Sequence, residues 1–162
     1  MAQKKTLAER GKFKREINAA LYKNEDIREM LLGDTAGMKS SDIRTNFKKY
    51  VKSHLFIDDT ITEAKTFIFY DVTMPYLETQ LKSCHVIMYL ICSRDILEDY
   101  TKDGYYGDRI DILSQMVEDT LINDEEVANS FGIGKLKLDS VDIYNSHRFY
   151  GCILKFSVPS FR

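Results

Sequence analysis

The chain has 162 residues, 44% hydrophobic and 30% charged, enough for one domain with a real core and too balanced for a disordered chain, a collagen or a disulfide scaffold. Its longest apolar run, Val86 to Cys92, is seven residues, far short of the roughly 18 needed to cross a bilayer. Net charge is only −2, yet residues 1–56 hold 13 Lys and Arg against 7 Asp and Glu, while residues 57–162 hold 10 against 18.

That division implies two surfaces facing different surroundings, an arm docking on an acidic partner, or simply helices with solvated basic faces. The basic N-terminus, MAQKKTLAERGKFKR, has no apolar stretch behind it and does not read as a secretory signal. Three cysteines on apolar stretches point to reduced thiols in a cytoplasmic setting.

Residues 1–11 are polar and expected to fray up to Gly11. From Lys12, Phe13, Ile17, Ala20 and Leu21 recur at helical spacing. Asn24 is placed to cap a second helix, Glu25 to Leu32, with Glu25 and Asp26 in its first turn and Gly33 as its stop. Ser40 or Ser41 caps a third helix through Ile43, Phe47, Tyr50, Val51 and Leu55. Ala64–Val72 and His85–Cys92 are rich in β-branched and aromatic residues and read as strands covered on both faces. Pro75 marks a turn or edge between them. Asp108 caps a helix to Ile122 whose Ile110, Leu113, Val117 and Leu121 form one stripe. Lys135–Ile143 and Phe149–Val158 are the last strands, the second with Tyr150, Cys152, Leu154, Phe156 and Val158 on one face and Pro159 ending it. The order predicts an α+β fold, an antiparallel four-stranded sheet packed with helices. An N-terminal helical arm (1–56) precedes an α+β body (57–162), the two expected to form one compact domain overall. Loops 93–107 and 123–134 are long enough to be functional.

No catalytic motif stands out. His54, His85 and His147 lie in no ligand spacing, and CxxC, HxxxH and HExxH are absent from the sequence, so neither a metal nor a cofactor is expected. Cys84 and His85 are sequence neighbours on a strand and point to opposite faces, so Cys84, Cys92 and Cys152 read as structural. Asp58, Asp59, Glu63 and Lys65 resemble a nuclease metal strand only in part, and a solvated turn is favoured. Asp108 and Asp111 fit helix capping better than a metal site, and FGIGK lacks the strand–turn–helix context of a phosphate loop. The rival class is DNA binding. The second and third helices could form a helix-turn-helix, with Lys48, Lys49 and Lys52 on phosphates and Arg44 as the base reader.

The order of segments, DIREMLLGD, FIDDTITEAKTFIFYDV, HVIMYLICS, GDRIDILSQMVEDTLIND, FGIGKLKLDSVDIY and HRFYGCILKFSVPSF, resembles the tail-terminator and head-to-tail joining (neck) proteins of long-tailed bacteriophages over residues 25–162. The closing aromatic-glycine-aliphatic strand is similar to the last strand of such proteins. The resemblance implies a non-enzymatic virion subunit, assembled in the host cytoplasm, that forms a homo-oligomeric and usually hexameric ring. Such a ring terminates the tail tube, meets the tail tube protein and the head connector, and lets DNA pass without specific binding. The helical region 1–56 departs from that pattern, and no membrane contact is implied. Exposed strand edges offer a means of ring closure. Tyr100, Tyr105, Tyr106, Arg109 and Phe131, on or beside the two loops, are the candidate docking residues, since aromatics are enriched at interfaces; covering the sheet edge is the alternative role for the tyrosines.

Overall fold

The computed structural model describes residues 6–58, 60–75, 82–125, 127 and 136–161. Helices α1 (Thr6–Lys23), α2 (Glu25–Leu32) and α3 (Ser40–Tyr50) lead into strands β1 (Val51–Lys52), β2 (Thr66–Thr73) and β3 (Lys82–Ser93). A short 3-10 turn (Arg94–Ile96), helix α4 (Arg109–Asn123) and strands β4 (Lys137–Asn145) and β5 (Phe149–Phe161) complete the order.

The sheet corrects the sequence expectation. It has five strands in the order β1-β2-β3-β5-β4 and is mixed, because β1 runs parallel to β2 while the other pairs are antiparallel. The expected four-stranded antiparallel sheet missed β1 because Val51 and Leu55 continue the apolar spacing of α3. The helix instead ends at Tyr50, and Val51 turns extended at φ −123° and ψ 116°, pairing with Ile68. Val51 is buried there, and a β-branched side chain loses little by leaving a helix for a strand.

Local signals explain most other boundaries. The Asn24 side chain accepts from the backbone N–H of Asp26 (2.9 Å) and Ile27 (3.2 Å), opening α2. Asp108 and Asp111 form a reciprocal capping box at α4. Gly11, expected to precede order, lies inside α1. β5 continues past Pro159 to Phe161. The register against β3 shifts between Lys82 and Cys84, opposite that segment, and a proline is tolerated in a strand at such an irregularity because no ladder hydrogen bond is asked of it.

One face of the sheet carries Ile68, Tyr70 and Val72 of β2, Val86, Met88 and Leu90 of β3, and Leu154, Phe156 and Val158 of β5, all in the main buried cluster. Phe13, Ile17, Leu21, Ile27 and Phe47 of the N-terminal helices belong to the same cluster. The N-terminal third is therefore part of the core and not an arm beside it. Arg10 and Lys14 tie α1 down further: each reaches the Asp71 carboxylate at 2.7 Å, and Arg10 Nε also donates to the Val72 carbonyl at 2.7 Å. On the opposite face, Phe67, Phe69, Ile91 and Phe149 form a second cluster, with Ile57 and Ile61 packed against it. This double coverage is what the apolar runs of β2 and β3 require.

Candidate functional site

Two surface features stand out: a tip in the segment between β3 and α4, and a groove beside β1. The tip is held from several sides. Arg109 Nε donates to the Ile96 carbonyl at 2.9 Å, and its guanidinium lies 5.0 Å from the Tyr100 ring centre. Lys102 bridges Asp26 (3.1 Å) and Glu29 (2.9 Å) of α2, and the hydrogen bonds it donates, to Glu29 foremost and then to Asp26, hold its ammonium above the ordinary lysine range. Tyr105 Oη donates to Asp26 at 3.4 Å. Tyr100 and Tyr105 are half-buried against the main cluster. These two tyrosines and Arg109 brace the segment.

Tyr106 is different. Its ring is 81% exposed, while its backbone is clamped: the N–H donates to Gln115 Oε1 at 3.2 Å, and Gln115 Nε2 donates to its carbonyl at 2.6 Å. Gly107 follows at φ 101°, and a Cβ there would collide with the Asp111 side chain of the capping box. An exposed aromatic on a fixed backbone carries the entropy cost of ordering already, which is the property of an interface anchor. In the same segment Asp95, Glu98, Asp99 and Asp103 are exposed. Arg94, at the start of the segment, is engaged by Asn145 and the Ser146 carbonyl.

The groove lies between α1 and the α3–β1 junction and encloses about 770 Å³, within the range of ligand pockets. Lys14, Arg15, Lys23, Arg44, Lys48 and Lys52 line it, with no Asp or Glu among its described lining residues. Its floor is apolar, including Ala19, Tyr22 and Phe47. The Arg28 and Arg44 guanidinium groups lie 5.0 and 4.8 Å from the Tyr22 ring centre, and Phe47 meets its edge, so that ring is already stacked.

Of the residues singled out from the sequence, Lys48 and Lys52 come together in the groove. Lys49 is exposed on α3 outside its lining, and Phe131, with most of loop 123–134, lies outside the described residues. Sequence reasoning missed Lys14, Arg15, Lys23 and the clamp Gln115. Arg15, Ala19 and Lys23 on α1, like Arg44 and Lys48 on α3, are spaced by four, and that spacing is the signal that places them on one helix face.

The remaining candidates resolve into structural roles. Burial pushes the Cys84 and Cys92 thiols up to about 12 and raises Cys152, whose sulfur lies 3.2 Å from the Ser114 hydroxyl; none is poised as a thiolate. The Asp58 carboxylate accepts from the Thr60 hydroxyl (2.6 Å) and N–H (2.9 Å), an Asx turn that lowers its pKa. Asp59 lies outside the described residues. At the free edge of the sheet, β4 exposes Val141 (59%) and Ile143 (73%).

No helix among the described residues is long and apolar enough to cross a membrane. No curated protein matches the chain. The family model of YomW matches residues 15–158, from α1 to the buried end of β5, and the chain belongs to this phage-derived YomW family.

Proposed function

We propose that the protein is a non-enzymatic structural component of a phage virion, working at the head–tail junction as a ring that terminates the tail tube and joins it to the head connector. The observation that carries this reading is the Tyr106 tip, a fully presented aromatic on a clamped backbone. Such a group serves contact with another macromolecule, because its burial in a partner pocket is favourable and little freedom remains to be lost. Membership of a phage-derived family supports the setting. The apolar free edge of β4 supports assembly, since unpaired strand edges and exposed aliphatic residues join readily to another chain. The test is genetic and morphological. A phage lacking this chain accumulates filled heads and separate tails, and adding the purified protein to a lysate of the two restores joined particles. Normal joined particles without the chain overturn the reading.

A second reading, binding of duplex DNA through α3, has the cationic groove in its favour. Against it, Phe47 is buried in the core and Arg44, the one arginine of α3, is stacked on Tyr22, which takes up the side chain best suited to reading guanine.

A further inference from the structure

The tip and the groove are complementary in two independent respects. The segment that carries the tip, residues 94–107, holds one exposed aromatic ring and four exposed acids, and its one lysine, Lys102, has its charge taken up by Asp26 and Glu29. The groove offers an apolar floor rimmed by six cations. Of these, Lys14 is paired with Asp71 and Arg44 with the Tyr22 ring. Arg15 and Lys48 are exposed on the rim. An aromatic anchor needs an apolar socket, and an acidic segment is matched by a basic rim. The same division appears in the sequence, with its basic first third and acidic remainder.

Single-stranded nucleic acid suits the groove less well. Such a ligand is held largely by bases stacking on aromatic rings, and Tyr22 already carries two guanidinium groups and the Phe47 edge. An acidic polypeptide with an aromatic side chain needs no free ring face. It needs cations and a greasy floor, which are present.

We infer that the Tyr106 tip of one copy seats in the groove between α1 and the α3–β1 junction of a second copy. The contact rests on the ring reading above and gives that ring its joint. Tip and groove share no residue, so the contact is heterologous. Each subunit that uses its tip still has a groove to offer, and repetition closes a ring or extends a filament. Charge reversal at the groove leaves the tip intact, and damage to the tip leaves the groove intact.

The test uses the full chain and light scattering after size exclusion, with sedimentation velocity over a concentration series. Wild type self-associates, and the association weakens between about 0.1 and 1 M salt as the screening length falls from about 10 to 3 Å. Arg15→Glu with Lys48→Glu makes a monomer whose circular dichroism is unchanged. Tyr106→Ala weakens association at least about 30-fold, the loss typical of an interface anchor, and with Asp103→Lys it also makes a monomer. Mixing the two monomeric proteins gives a 1:1 dimer and nothing larger, because only one tip and one groove remain between them. If Arg15→Glu/Lys48→Glu fails to fold, the tip variants alone decide the matter. Assembly of the tip variants like wild type places the joint elsewhere and overturns the inference while leaving the ring reading standing. A wild type that is monomeric throughout overturns it as well. A salt-dependent shift of DNA by that monomer, lost in the groove variant, assigns the groove to nucleic acid instead.

Discussion

Phe13→Ala tests most sharply whether α1 belongs to the core. Phe13 is fully buried and shares the main cluster with Ile17, Leu21 and the inner residues of β2, β3 and β5. Removing a buried phenylalanine ring costs about 3–5 kcal/mol, the transfer free energy of the ring plus the cavity left behind. With a urea dependence of about 2 kcal/mol per molar, the unfolding midpoint falls by roughly 1.5–2.5 M. Leu7, on the same helix but 79% exposed, is the control. Leu7→Ala changes stability by no more than about 0.5 kcal/mol. Equilibrium urea unfolding followed by circular dichroism and by tyrosine fluorescence reads both variants. Coincident transitions for the two probes show that α1 and the sheet unfold as one unit. If Phe13→Ala costs less than about 1 kcal/mol, or if helix signal melts well before tyrosine fluorescence changes, α1 is a separable arm and the packing argument fails.

Three further outcomes follow from the same structure. Burial pushes the Asp71 carboxyl upward, but the hydrogen bond from Lys14 and the charges of Lys14 and Arg10 leave it below its ordinary 3.8. A carboxyl with a depressed folded-state pKa stabilises above its unfolded value and loses that contribution as pH falls through the folded one. The urea-midpoint difference between wild type and Asp71→Asn is therefore constant from pH about 7 to about 5 and shrinks below about 3.8. Asp108→Ala removes the cap oxygen that accepts from Ile110 and Asp111, both at 2.9 Å. It costs about 1–2 kcal/mol and lowers the calorimetric Tm by a few degrees, while Asp108→Asn recovers most of the loss. Native protein at pH about 8 leaves Cys84 and Cys92 unalkylated by iodoacetamide, whereas protein in denaturant labels at all three cysteines. Rapid labelling of the native form refutes their burial.

Elements governed by local chemistry were legible in the sequence. Asn24 and Asp108 announce their helices because a cap depends on a side chain and the few N–H groups next to it. The strands of β2 and β3 were visible because continuous runs of aromatic and β-branched residues mark sheets covered on both faces. What was hidden depends on distant partners. Val51 extends the helical spacing of α3, and only the free edge of β2 draws it into a strand. The helical region 1–56 reads as an arm because the stripe of Phe13, Ile17, Ala20 and Leu21 on its first helix is narrow and most of that helix's other positions are charged or polar. Its burial shows only once the sheet lies beneath it. The site divides in the same way. Tyr106 is one of the candidate docking residues, but its distinction from Tyr100 and Tyr105 rests on Gln115, nine positions along the chain and nearly two helix turns into α4. The groove joins residues of α1 to residues of α3 and β1, a juxtaposition that no single helix face displays.

Immunogold labelling of phage particles that carry this chain, imaged in negative stain, tests the central proposal most directly. Antibody raised against the folded protein, checked against released subunits, is applied to intact particles and to separated heads and tails. Gold confined to the neck of joined particles, and to one end of free tails, is the result the proposal predicts. Particles that stay unlabelled under conditions where released subunits bind, or gold on infected-cell DNA with bare particles, contradict a structural role at the head–tail junction.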